Sequence, residues 1–256
     1  MAGADVLVHN FRPSVPARLG IAYEQLAEIN PRLIYCAVTG YGESGPLKDK
    51  AGYDQVLQTM TGMCALQGRA DGPPEVLYGS VVDYYASSMV AAGVASALFE
   101  RERSGRGQFV GVSLLRSALA LQSARLVWAE GEPREVGRDM RSGGITGIHP
   151  TGDGYLYISA NTPHFWQALC AKTGLQALAA DARYDSVRKR AQYRDEIVPQ
   201  LHQALQARSA LEWEALFGEE VPCAAARGVE DMFDFPQVQA EGCLLYTSDA
   251  ADDSLR

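Results

Sequence analysis

One stretch of the chain, YGSVVDYYASSMVAAG at residues 78–93, sets a single acid against an apolar surrounding. That acid, Asp83, precedes a long segment with almost no charge. An aspartate so placed suits two compatible roles. It is a good helix N-cap, accepting backbone N–H bonds. It is also a nucleophile toward an activated acyl carbon, because a carboxylate near a helix N-terminus stays ionised and fixed in direction. Other candidates lie in three loops. NFRPSVPARLG (10–20) carries Asn10 and Phe11 directly after an apolar run, then Arg12 and Arg18. Ligands of open α/β sheets bind at strand C-terminal ends, and arginines near a helix start either hold phosphates or stay solvated. TGYGESGPLKDKAGYD (39–54) combines glycines that let backbone amides approach a ligand with Lys48 and Lys50. It is neither a P-loop nor a G-x-G-x-x-G motif. RSGGITG (141–147) places Gly143 beside Gly144, either a flexible hinge or a pair of N–H donors for an oxyanion.

These residues need a scaffold, and the patterning supplies one. Residues 4–9 read as a strand, 14–29 as a helix, LIYCAVTGYG (33–42) as a strand running into glycines, and 54–65 as a helix. Residues 84–103 form the strongest helix, apolar on all sides until FERER and therefore expected to be buried. Arg101 and Arg103 suit the negative end of its dipole, and Gly105 suits its C-terminal stop. QFVGVSLL (108–115) is a strand and 115–130 a helix. After the charged, glycine-bearing run 130–144, a strand at 154–160, a helix at 163–174, helices at 187–208 and 210–218, and a loop or strand near 221–233 follow. The expected fold class is α/β: a partial Rossmann-like, parallel-sheet large domain followed by a smaller α+β domain. Its parts are 1–115 (large domain), 116–140 (linker helix and loop), 141–242 (small domain) and 243–256, a tail without period that reads as non-native.

The bulk numbers limit the function. A chain of 256 residues with net charge −8 lacks the basic face that nucleic acid or an anionic membrane requires. No run approaches the ~18 apolar residues of a membrane span, and the start has no signal-peptide pattern. Five widely spaced cysteines without a C-x-x-C pair suit a reducing cytoplasm. Four scattered histidines give no metal motif, so no metal is expected.

Taken in order, ADVLVHNFRPSVPARLGI, NPRLIYCAVTGYGESGP, AGYDQVLQTMTG, DGPPE and ALFERERSGRGQFVGVSLL resemble the family III CoA-transferases, the CaiB/BaiF family. The resemblance runs through residues 3–242. It makes Asp83 the nucleophilic aspartate, and makes Asn10, Phe11, Arg12 and Arg18, with Ala51, Gly52, Tyr53 and Asp54, similar to the CoA-contacting sets. Gly143 and Gly144 resemble the family's mobile glycine loop, which carries three or more glycines elsewhere. The implied partners are an acyl-CoA and a small carboxylic acid, with coenzyme A as substrate rather than a permanently bound cofactor. CoA would pass through an aspartyl-CoA thioester. Family members are interlocked homodimers and longer at both ends, so the chain reads as an internal fragment whose own activity is a separate question. The α-methylacyl-CoA racemases share the fold but have histidine where this chain has Tyr53. A phenol with pKa near 10 is a poor base for a carbon acid at pH 7, so transfer is preferred over isomerisation.

Overall fold

The computed structural model describes residues 2–67, 72–126, 130–131 and 145–242. The chain divides into two compact units, residues 1–136 and 137–256.

In the first unit, β1 (Val6–His9) leads into α1 (Ser14–Arg18) and α2 (Tyr23–Ile29). These stand where the sequence suggests one helix. The chain breaks at Gly20, whose φ of 71° no helical residue adopts. β2 (Ile34–Thr39), α3 (Asp54–Met60), α4 (Val81–Ser104), β3 (Phe109–Ser113), α5 (Leu114–Leu121) and α6 (Ser123–Leu126) follow. The three strands are parallel in the order β1-β2-β3, with Val6 opposite Ile34 and Ala37 opposite Gly111. The central strand is the apolar one: Ile34, Tyr35, Cys36 and Ala37 are all buried, as a strand covered on both faces must be. α5 belongs to this unit, since its Ala118 is buried with Leu57, Val82 and Tyr41.

α4 differs from its sequence reading in two ways. It starts at Val81, so Asp83 lies inside its first turn rather than at its N-cap, which is Ser80. It is also not buried on all sides. Val82, Ala86, Ala97 and Arg101 form the buried stripe, and a Cβ on Gly93 would meet Val110 of β3 at 2.8 Å. Tyr84 and Phe99, by contrast, are 67% and 64% exposed among the described residues. By length and composition α4 is long and apolar enough to cross a membrane, although Asp83 and the FERER run interrupt it with charge. Its packing is that of a sheet-covering helix. Arg101 is buried, pairs with Asp5 at 2.9 Å and donates to the Arg32 carbonyl, so it ties the end of α4 to the starts of β1 and β2. Gly105 closes the helix at φ 71°, its N–H bonded to Arg101 O.

In the second unit, β4 (Gly147–Pro150), β5 (Tyr155–Ile158), α7 (Pro163–Thr173), α8 (Gln176–Ala180), α9 (Val187–Gln192), α10 (Arg194–Leu205), α11 (Ala210–Phe217), β6 (Cys223–Ala225) and α12 (Pro236–Ala240) form an α+β layer pair. The sheet is antiparallel, order β4-β5-β6. β5 alternates strictly, Leu156 and Ile158 inward, Tyr155 and Tyr157 outward, which is the signature of a half-buried strand. Thr162 and Gly174 bound α7, and a Ser209–Glu212 capping box starts α11.

Candidate active site

The C-terminal ends of the three parallel strands converge on one cleft. Asn10 follows β1, Thr39 and Gly40 end β2, and Leu114 follows β3. Gly52 and Tyr53 form a second wall, and Asp83, Ala86, Ser87 and Val90 of α4 the third, around about 510 Å3. A smaller cleft of about 250 Å3 shares Asn10, Thr39, Gly40, Gly52 and Tyr53 with the first and adds Phe11, Arg12, Lys48, Lys50 and Ala51. The two arms thus adjoin across shared walls, with a carboxyl group in one and three cationic side chains in the other.

The crossing of two loops makes this geometry. The chain leaving β2 passes the chain entering α3 so closely that a Cβ on Gly40 would stand 2.8 Å from the Gly52 Cα, and one on Gly52 would stand 2.5 Å from the Gly40 Cα. No side chain fits at either position without moving backbone. Thr39 holds the first loop, its hydroxyl accepting the Gly42 N–H at 3.0 Å. Before α1, the Phe11 N–H donates to His9 Nδ1 at 3.2 Å, and the two rings stack.

Asp83 sits in the first turn of α4, half-buried. Among the described residues its carboxyl oxygens have no hydrogen-bond or ionic partner; only its backbone is engaged. Burial, and then the neighbouring Asp54 carboxylate, raise its pKa above the ordinary aspartate value. Asp54 itself is 3% exposed. One oxygen, Oδ2, accepts the N–H groups of Val82 at 2.7 Å and Asp83 at 2.9 Å, and Oδ1 accepts from Gln58 Nε2.

The structure therefore brings Asp83, Asn10, Gly52 and Tyr53 to one cleft, and Phe11, Arg12 and Ala51 to its continuation. Two expected residues stand elsewhere. The Asp54 side chain is 3% exposed, with its oxygens bonded to the Val82 and Asp83 N–H groups and to Gln58, and it lines neither arm. Arg18 ends the short helix α1, exposed and outside both arms. Gly143 and Gly144 lie outside the described residues. Sequence reasoning missed Gln58 and the Gly40–Gly52 crossing. The Asp54–Gln58 spacing of four was a legible signal of a pair on one helix face. No sequence signal pairs two glycines across a loop.

The family model of CoA-transferase family III matches residues 1–256. The chain is 36% identical over 247 residues to the acetyl-CoA:oxalate CoA-transferase of Acetobacter aceti, an alignment with 94% of this chain and 64% of that protein. It is 32% identical over 248 residues to the succinate–glutarate CoA-transferase of Agrobacterium fabrum, with 93% of this chain and 61% of the relative. The chain thus spans less than two thirds of the length of these curated relatives. Among solved structures, Rv3272 of Mycobacterium tuberculosis in its orthorhombic form superposes with a TM-score of 0.84 at 30% identity, over 96% of this chain and 66% of that one. A CaiB/BaiF family protein of Brucella suis gives 0.78 at 28% identity, over 97% and 70%.

Proposed function

The chain belongs to CoA-transferase family III, and from that premise we propose that it carries the nucleophile and part of the coenzyme A site of an enzyme moving CoA from an acyl-CoA to a carboxylic acid. The observation that carries this reading is the two-armed cleft, in which an unpartnered, partly desolvated carboxyl group adjoins a cationic recess. A CoA thioester has that polarity: a reactive acyl carbon at one end and phosphates at the other.

In the proposed sequence Asp83 Oδ attacks the thioester carbonyl of the donor. The C–S bond breaks, giving a mixed anhydride and CoA thiolate. The thiolate attacks the aspartyl carbonyl of the anhydride and expels the donor carboxylate, leaving an aspartyl-CoA thioester. The acceptor carboxylate attacks that thioester and breaks its C–S bond, giving a second mixed anhydride and CoA thiolate; the thiolate then attacks the acceptor's acyl carbon, which releases acceptor-CoA and restores the Asp83 carboxylate. Covalent catalysis splits one difficult exchange into easier ones. Partial burial makes the carboxylate less solvated and more reactive. Arg12, Lys48 and Lys50 meet phosphate oxygens by charge, while Phe11 and Tyr53 offer ring surface to the rest of the CoA.

The test is transfer from acetyl-CoA or succinyl-CoA to oxalate or glutarate, together with calorimetry of CoA binding. Asp83→Ala is expected to abolish transfer, by ~10⁴-fold or more, while CoA still binds. Full transfer by that variant refutes the nucleophile, and exchange of the acyl α-proton into deuterium without CoA transfer would favour the isomerase chemistry instead.

A further inference from the structure

We propose that Asp54, with Gln58, is a positioning residue that sets the direction of the Asp83 carboxylate by capping α4 from a neighbouring helix. This rests on Asp83 being the nucleophile. A nucleophile without a side-chain partner is aimed only by its backbone, and the backbone of Asp83 has one unusual anchor. Ser80, the N-cap residue of α4, makes no side-chain capping bond. Two of the orphan N–H groups that every helix start leaves unsatisfied, those of Val82 and Asp83, go instead to Asp54 Oδ2, 28 and 29 residues earlier in the chain.

Gln58 completes the clamp. It lies one turn along α3 from Asp54 and is 0% exposed. Its Nε2 donates to Asp54 Oδ1 and, at 3.5 Å, to the Gly79 carbonyl, and its Oε1 accepts the Leu77 N–H at 2.8 Å. One turn of α3 therefore pins the segment 77–83 at Leu77, Gly79 and the Val82–Asp83 amides. Both oxygens of Asp54 act as acceptors. An asparagine can match only one of them, and it removes the negative charge that faces Asp83. Among the described residues Asp54 is the charged group acting on Asp83.

The experiment uses the transfer assay above with Asp54→Asn, Asp54→Glu and Gln58→Met. Asp54→Asn is expected to lower kcat by ~10²-fold, the cost of a misaimed reacting group, with KM for acyl-CoA within about twofold of wild type. The acid limb of its pH–rate profile moves to lower pH, because the charge that raises the Asp83 pKa is gone. Asp54→Glu returns that limb toward its wild-type position while kcat stays low, separating charge from geometry. Should Asp54→Asn fail to fold, Gln58→Met carries the same expectation at ~10-fold. A raised KM with unchanged kcat would make Asp54 a ligand contact and overturn the proposal, as would unchanged kinetics. If Asp83→Ala retains full transfer, the nucleophile reading fails on its own. The clamp is then judged by amide hydrogen exchange: faster exchange of the Val82 and Asp83 N–H groups in Asp54→Asn supports it, and unchanged exchange overturns it.

Discussion

The two units treat their apolar residues differently. The second gathers Ile145, Leu156, Ile158, Trp166, Leu169, Leu201, Leu205, Trp213 and Phe217, among others, into one continuous core. The first holds two smaller clusters, around Leu57 and Val82 and around Tyr35 and Leu33, and leaves large apolar side chains outside them. Tyr84, Met89 and Phe99 of α4 and Val8 of β1 are 67%, 44%, 64% and 50% exposed. The described cleft is lined by the first unit, which exposes more large apolar side chains than the second, where Ile148, Tyr155, Leu211 and Val229 are also exposed. Burial is what makes a fold independent, and in this chain the candidate chemistry lies where burial is least complete.

Cutting into the second unit's core should have the largest effect on stability. Trp213 is 3% exposed, stacks on Phe217 and donates to the Leu205 carbonyl at 2.8 Å. Trp213→Ala is expected to destabilise this unit by ~3–5 kcal/mol. Hydrogen exchange should rise throughout β5, α10 and α11 while the β2 amides keep their protection; loss of protection in both would mean the cores are coupled. The counterpart in the first unit is the loop crossing. Gly52→Val places atoms where Gly40 backbone already stands, and is expected to cost ~1–3 kcal/mol and to weaken CoA binding. Unchanged CoA affinity would show that the crossing does not shape the cleft.

The units differed in legibility too. β5 was readable from its alternation, and β2 from LIYCAVTGYG, because each pattern lies within one segment. The convergence of Asn10, Gly52, Tyr53 and Asp83 followed from strand ends and the resemblance. What the sequence hid was long-range. Asp83 looked like a cap because a local aspartate is the usual cap, whereas the capping carboxylate comes from Asp54 across 29 residues. Periodicity also predicted a buried α4, since an all-round apolar helix shows its composition and not its neighbours. The helix expected over 187–208 is two, α9 and α10, divided at Tyr193 (φ −107°, ψ 22°), whose ring packs edge-on to Tyr184.

A smaller effect in the second unit depends on pH, and burial lowers the pKa of His9 in the first unit in the same direction. His149 is buried; its Nε2–H donates to the Ile145 carbonyl at 2.9 Å, so its Nδ1 accepts from His202 Nε2 at 3.1 Å. Burial chiefly lowers the His149 pKa, with His202 adding to it, and burial lowers that of His202. The unfolded chain therefore binds protons before the folded one. The second unit should lose stability as pH falls through about 6.5, the unfolded imidazole value. His149→Gln should flatten that slope, and an unaltered slope would assign it to other groups. The smallest effect is expected on α4: Tyr84→Ser with Phe99→Ser should change the stability of this chain by within about 0.5 kcal/mol each while reducing its binding of an apolar dye. A large loss would mean that these side chains are packed in solution.

The central claim is a covalent bond to one carboxyl oxygen. Hydroxylamine added during turnover with acyl-CoA and acceptor, followed by peptide mass mapping, tests it directly. The account predicts conversion of Asp83 alone to its hydroxamate, dependent on acyl-CoA. A turning-over protein in which Asp83 stays unmodified, or in which another carboxylate is trapped in its place, contradicts it.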